Sequence, residues 1–193
     1  MLKSASLARQ GDVNARLAEF EHGLSGLRGT GARLGMTWYF SLHAELLAQT
    51  GQIWKALDVV EEALAFAEET GERMNRANLL RLKGALLFEG VRAGRDGGLD
   101  AAEACLAEGL RVAMGQGAKL LALRAAIGCA SLHAHRRRFE EGLAVLRPVY
   151  ESFSEGLAMP DPVDARRLIA YLERPALCRV PVSDAGGGAL LEI

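Results

Sequence analysis

The stretch "GTGARLG", residues 29–35, decides how the chain is read. Its three glycines crowd as they do in a phosphate-cradling loop, but the pattern fails in two ways. A dinucleotide loop needs G-x-G-x-x-G between a strand and a helix. Here the third glycine, Gly35, comes one residue late, and the helical pattern "ARLAEFEHGLSGL" (15–27) precedes it. Thr30-Gly31-Ala32-Arg33 also recurs as Thr70-Gly71-Glu72-Arg73, and more weakly as Gln116-Gly117-Ala118-Lys119. A nucleotide loop has no reason to appear three times in register. A turn between structural repeats does.

Working outward, Gly11, Gly31, Gly51 and Gly71 recur at an interval of twenty. Gly97 and Gly117 resume it after a slip of six, Arg137 takes the next place, and Gly156 falls one residue short of the last. Between these points lie helical patterns. In "KALDVVEEALAFAEE" (55–69), Ala56, Leu57, Val60, Ala63, Leu64 and Ala67 line one face and Asp58, Glu61, Glu62, Glu68 and Glu69 another. That is an amphipathic helix of about four turns. Glycine after such a helix ends it in the left-handed region without a Cβ penalty. One helix plus one turn fills twenty residues, so forty is a helical hairpin, and an all-helical chain with that period is an α-solenoid.

Each unit carries small residues where helices cross. Residues 37–72 supply Phe40, Ala44, Leu47, Gly51, Ala56, Val60 and Ala63; the next unit supplies Leu80, Gly84, Leu87, Ala102, Leu106 and Gly109. The fourth supplies Ala126, Ala130, Gly142, Leu146 and Val149. The first, with Gly11, Phe20 and Gly23, keeps only part of its leading helix. The expected fold is all-α: a tetratricopeptide-like solenoid of about four antiparallel hairpins plus a C-terminal capping helix, over residues 1–173. "VRAGRDGGLD" (91–100) is a surface loop inside the third hairpin. "MPDPVDARRLIAYLE" (159–173) is the closing helix, with Asp161 as its cap, and Pro148 is expected to kink or break the helix before it. Residues 174–193, with Pro175, Pro181 and three successive glycines, form an irregular, flexible tail.

The runs "GTGARLG", "EETGER" (68–73), "AEACLAEGLRVAMGQGAKLLALRAA" (102–126) and "VLRPVYESFSEGL" (145–157) with the following Pro160-Asp161 resemble one family in particular. It is the C-terminal tetratricopeptide-repeat region of large bacterial multidomain proteins. Those proteins join a class III adenylate/guanylate cyclase domain, or a DNA-binding regulator, to an AAA/STAND-type ATPase and then to the repeats. The likeness covers about residues 4–173. It departs from the family at Leu106, where an aromatic is usual, and at Gly109 and Gly142, where a helix-favouring small residue is usual; these departures weaken local packing. The resemblance implies a sensor or protein-interaction arm, with cyclase and ATPase chemistry in domains outside this chain. Indeed no G-x-x-x-x-G-K-[ST] loop occurs, since Gly117-Ala118-Lys119 lacks both the spacing and the hydroxyl residue.

Composition agrees with an ordinary soluble helical protein. Half the residues are apolar (50%), and 23 basic residues against 24 acidic ones give no case for nucleic acid or an anionic membrane. No uncharged run approaches the roughly 20 apolar residues of a membrane helix, and the first residues lack a secretory signal. Three cysteines, Cys105, Cys129 and Cys178, have no short spacing, which argues against a disulfide framework or zinc site and for the cytoplasm. No catalytic, cofactor-binding or metal-binding residue is expected. His133 and His135, two apart on a helix, point in nearly opposed directions and make a poor chelate. Arg136, Arg137 and Arg138 form a solvated turn.

Function is expected in the groove lined by the leading helix of each hairpin. In repeat register the groove-facing residues are Trp38, Glu45 and Gln49, then Asn78 and Arg81, then Arg124, Ser131 and His135, with Glu89 and Arg9 at the margins. This mixture of carboxylate, amide, guanidinium and indole suits an extended peptide or partner helix. Two other readings stay open. One is a closed apolar pocket for a small effector, in the sensing arm of a STAND-type regulator. The other is homo-oligomerisation through an uncapped apolar end at Leu2, Leu7 and Leu17.

Overall fold

Eight helices follow one another in the computed structural model, which describes the backbone of residues 2–94 and 97–174 and the side chains from residue 13 on within those spans. They are α1 (Leu2–Gly29), α2 (Met36–Gln49), α3 (Ile53–Thr70), α4 (Arg76–Arg92), α5 (Leu99–Gly115), α6 (Lys119–His135), α7 (Phe139–Glu151) and α8 (Pro160–Leu172). No strand occurs among the described residues. The tail expected over 174–193 lies outside the described residues, apart from Arg174.

Local sequence sets where the helices stop. Gly51, Gly117 and Arg137 occupy equivalent places, with φ of 79°, 66° and 58°. At each, the amide of the left-handed residue donates to the carbonyl three residues back, and the next amide donates to the carbonyl five back. These bonds are Gly51–Ala48 and Gln52–Leu47, Gly117–Met114 and Ala118–Ala113, and Arg137–Ala134 and Arg138–His133, all at 2.8–3.1 Å. This is the Schellman arrangement, which satisfies the last helix carbonyls. Arg137 holds a glycine's place, as the repeat interval predicts.

Consecutive helices pack as antiparallel neighbours: α2/α3, α4/α5 and α6/α7 are hairpins, and α1 and α8 flank them. The chain is thus an all-α helical-hairpin repeat. Its first unit differs in detail from the expectation, because α1 runs unbroken through Gly11 and contributes one helix rather than two. A glycine inside a helix costs about 1 kcal/mol but does not compel a turn. Leu17 is buried in the core against α2, so it is no part of an open apolar end; the side chains of Leu2 and Leu7 lie outside the described residues.

The crossings are built from small residues. Ala44, Ala56, Ala63, Ala102, Ala113, Ala126 and Ala130 are fully buried. At Gly84 a Cβ would stand 2.6 Å from Leu106 Cγ and 2.9 Å from the Ala102 carbonyl oxygen. Leu106 fills the space between Gly84 of α4 and Gly128 of α6, where a Cβ would stand 2.7 Å from Leu106 Cδ2. Two glycines therefore shape the seat of this leucine, and an aromatic would not fit it. Gly109 likewise tightens the packing rather than weakening it, since a Cβ there would lie 3.1 Å from the Arg81 amide nitrogen. Polar ties join successive units at the turns: buried Asn75 donates to the Thr37 carbonyl (2.7 Å), and Gln116 donates to that of Arg73 (2.8 Å).

Two local expectations are corrected. Pro148 does not break α7, which runs on to Glu151. Helix continuity rules out the break and leaves the kink. A proline inside a helix loses the bond to the carbonyl four residues earlier, and its ring crowds that carbonyl. Asp161 is not the cap of α8: Met159 holds that place in extended geometry, Pro160 opens the helix, and Asp161 lies inside its first turn. Its carboxylate is used elsewhere.

Candidate functional site

One asymmetry of packing defines an inner layer. The leading helices touch in succession, α2 against α4, α4 against α6 and α6 against α8, whereas α3, α5 and α7 pack only against their chain neighbours. In a two-layer stack, the layer whose helices meet is the inside of the curve. Apart from Arg9, which is on α1, the expected groove residues all belong to this layer.

The structure brings four of them together and adds two. Arg81 of α4 donates through Nη2 to Glu45 Oε1 of α2 (3.0 Å), and through Nε and Nη2 to Asn78 Oδ1 on its own helix (3.1 and 2.9 Å). Arg124 of α6 donates through Nε to Asp161 Oδ2 of α8 (3.0 Å). Glu45, Arg81, Arg124 and Asp161, with Ile127, line a pocket of about 290 Å³. Burial pulls the Arg81 guanidinium below the ordinary arginine range; Glu45 opposes this, and the nearby positive charge of Arg124 adds to it. Arg124 therefore acts on Arg81 across the pocket.

The remaining predicted residues are spread along the same layer outside this pocket. Trp38, in the first turn of α2, is half exposed, with its ring edge-on to Tyr39 at 5.1 Å. Gln49 is exposed at the end of α2, and Ser131 is half-buried on α6. His135, exposed at the end of α6, packs edge-to-face on Phe88 of α4 (5.4 Å). Glu89 pairs with Arg92 of its own helix (2.8 Å), and the side chain of Arg9 lies outside the described residues. Sequence reasoning missed Asp161, read as a cap, and Ile127, one turn beyond Arg124. The charge opposite Arg124 was the available signal for Asp161, but only the closing helix's entry angle brings the two together.

The arginine turn also proves different from the solvated loop expected of it. Glu103 of α5 accepts from Arg136 Nη1 (2.6 Å) and Arg138 Nη2 (2.7 Å); Arg136 also pairs with Asp100, and Arg138 with Glu141 (3.2 Å). His133 is buried beneath, its Nδ1 3.9 Å from Glu103 and 3.8 Å from Glu141. Burial pulls its imidazole below the ordinary histidine value. This cluster straps the α6–α7 turn to α5. Glu103 and the two arginines are more than thirty residues apart, so no local motif announces it.

Among the described residues no cluster of His, Cys, Asp and Glu could hold a metal ion, and no helix is long and apolar enough to cross a membrane. No family model matches the chain. An uncharacterized protein of Rhizobium meliloti (strain 1021) is 40% identical to it over 108 residues, which is 56% of this chain. The match spans only 10% of that relative's own length.

Proposed function

We propose that this chain is a non-catalytic, tetratricopeptide-type interaction module that holds a partner protein or peptide along its inner helical layer. It serves, on this reading, as the sensor or scaffold arm of a longer bacterial signalling protein of the cyclase or ATPase type. The observation that carries the interaction reading is the line of polar side chains running across α2, α4, α6 and α8, from Glu45 through Arg81 and Arg124 to Asp161. Apolar clusters also join these helices, so the fold does not depend on the ion pairs alone. Support for the arm reading comes from length: the stretch shared with the Rhizobium protein is a small part of a far longer chain.

A small-effector pocket fits less well. Four of the five residues lining the cavity are charged and only Ile127 is apolar. Effector pockets are mostly apolar, with a few convergent polar groups. Selection from a random-peptide library displayed on phage tests the proposal. Enriched peptides should lose affinity when Trp38→Ala or Arg81→Gln is introduced and keep it when exposed Asp58 of the outer helix α3 becomes Asn. If no peptide is enriched, or if only outer-layer variants weaken binding, the proposal fails.

A further inference from the structure

The charges of the inner layer have an order that points to a ligand. Reading across α2, α4, α6 and α8, they run negative, positive, positive, negative: Glu45, Arg81, Arg124, Asp161. The α2/α4 and α6/α8 seams each close with an ion pair of 3.0 Å, whereas the α4/α6 seam brings two guanidinium groups to one pocket. Glu45 and Asp161 each offset one guanidinium from its outer side. Like charges facing each other in a partly desolvated space still repel, and an anion between them removes that repulsion. Both arginines also keep donors in reserve. Arg81 uses Nε and Nη2 on Asn78 and Glu45, and Arg124 uses Nε and Nη2 on Asp161, so each Nη1 has no partner among the described residues.

We infer that the α4/α6 seam takes one carboxylate, the side chain of an Asp or Glu in an extended partner peptide, bridged between Arg81 and Arg124. This rests on the peptide-binding reading above and names the chemistry the site selects. Arginine's planar fork matches a carboxylate with two parallel hydrogen bonds. A phosphate would match too, but Glu45 and Asp161 flank the seam, and a dianion meets more repulsion from them than a monoanion does. Ile127, on the pocket wall, takes the methylene stem of the incoming side chain. Size agrees: a pocket of about 290 Å³ is at the lower edge of the roughly 300–1,000 Å³ found for whole small-molecule ligands. It suits one side chain of a longer ligand whose backbone lies along the layer.

The test uses the peptides selected above, with the most enriched one resynthesised in three forms. These carry Glu, Gln or phosphoserine at any position where acidic residues dominate, and each is titrated by fluorescence anisotropy. The inference predicts a fixed acidic position, with Glu→Gln weakening binding about tenfold or more, as for loss of a charge-assisted contact. On an Arg124→Gln protein the same change should cost about threefold or less, because the partner of the lost charge is already gone. Arg124 is the more exposed of the two arginines, and circular dichroism confirms that the variant is folded. Binders without an acidic position, an undiminished Glu→Gln effect on Arg124→Gln, or tighter binding of the phosphoserine form would each overturn the carboxylate seam and leave peptide binding standing. Failure to select any binder would instead remove the peptide reading itself, and the seam with it.

Discussion

Replacing Gly84 with Ala puts a close helix approach under test. On an ordinary helix, Gly→Ala stabilises by roughly 0.5–1 kcal/mol, because glycine loses the most backbone freedom on folding. At Gly84 the new methyl would stand 2.6 Å from Leu106 Cγ, 2.9 Å from the Ala102 carbonyl oxygen and 3.0 Å from the Leu106 amide nitrogen. Two of these are backbone atoms of α5, so relief requires the α4/α5 hairpin to open. Overpacking of this kind costs about 1–3 kcal/mol. With backbone as the obstacle the upper part of that range applies, and the propensity gain offsets only part of it. Gly84→Ala should therefore destabilise by about 1–2 kcal/mol, or roughly 2–8 °C in Tm for a chain of this size. Gly23, on the exposed side of α1 with nothing within 4 Å of its Cβ position, is the control. Gly23→Ala should stabilise by about 0.5–1 kcal/mol. Urea unfolding and thermal melts followed by circular dichroism measure both. If Gly84→Ala is as stable as the parent while Gly23→Ala gains, the close helix approach is wrong.

Other outcomes follow from the same structure. Arg137→Gly should raise stability by about 1 kcal/mol, since Arg137 alone among the described non-glycine residues has a positive φ; a lower Tm would mean its side chain contributes more than its backbone costs. Glu103→Gln should destabilise by about 1–3 kcal/mol in urea titrations, because Arg136 and Arg138 lose the carboxylate they share. His133 has a folded pKa held below its unfolded value mainly by burial, with Glu103, Glu141, Arg136 and Arg138 around it. Its neutral form therefore contributes stability that is complete above about pH 6.5 and is lost as pH falls through the depressed folded value. His133→Gln should flatten the acid slope of stability over that window; an unchanged slope would assign it to other groups. Burial pushes the Cys129 thiol up to about 12, so iodoacetamide should label it only after unfolding, as read by mass spectrometry; rapid native labelling would contradict its burial.

Much of the fold was legible because the signals that end and cross helices are local. The recurrence of Gly31, Gly71 and Gly117 marked the inter-hairpin turns, and even Arg137 could be placed by interval alone. The small residues Ala44, Ala56 and Gly84 announced close crossings for the same reason: what they do depends on size, not on a partner. Gly11 misled because a glycine inside a long helix looks the same in sequence as one that ends a helix. The groove register found Glu45, Asn78, Arg81 and Arg124, since a helical period fixes which side chains share a face. It could not show that Arg81 and Arg124 converge while Gln49 and His135 stand apart, because that depends on how far along each helix its neighbour crosses. Asp161 and Glu103 illustrate the same limit. Each is an unremarkable acidic residue until a helix from another unit brings an arginine to it.

The inner layer's role in binding is tested most directly by amide chemical-shift mapping of the selected peptide on the isotopically labelled chain. The account predicts shifts confined to α2, α4, α6 and the start of α8, largest around Glu45, Arg81, Arg124 and Asp161. Shifts concentrated on α3, α5 and α7, with the inner layer unmoved, would contradict it.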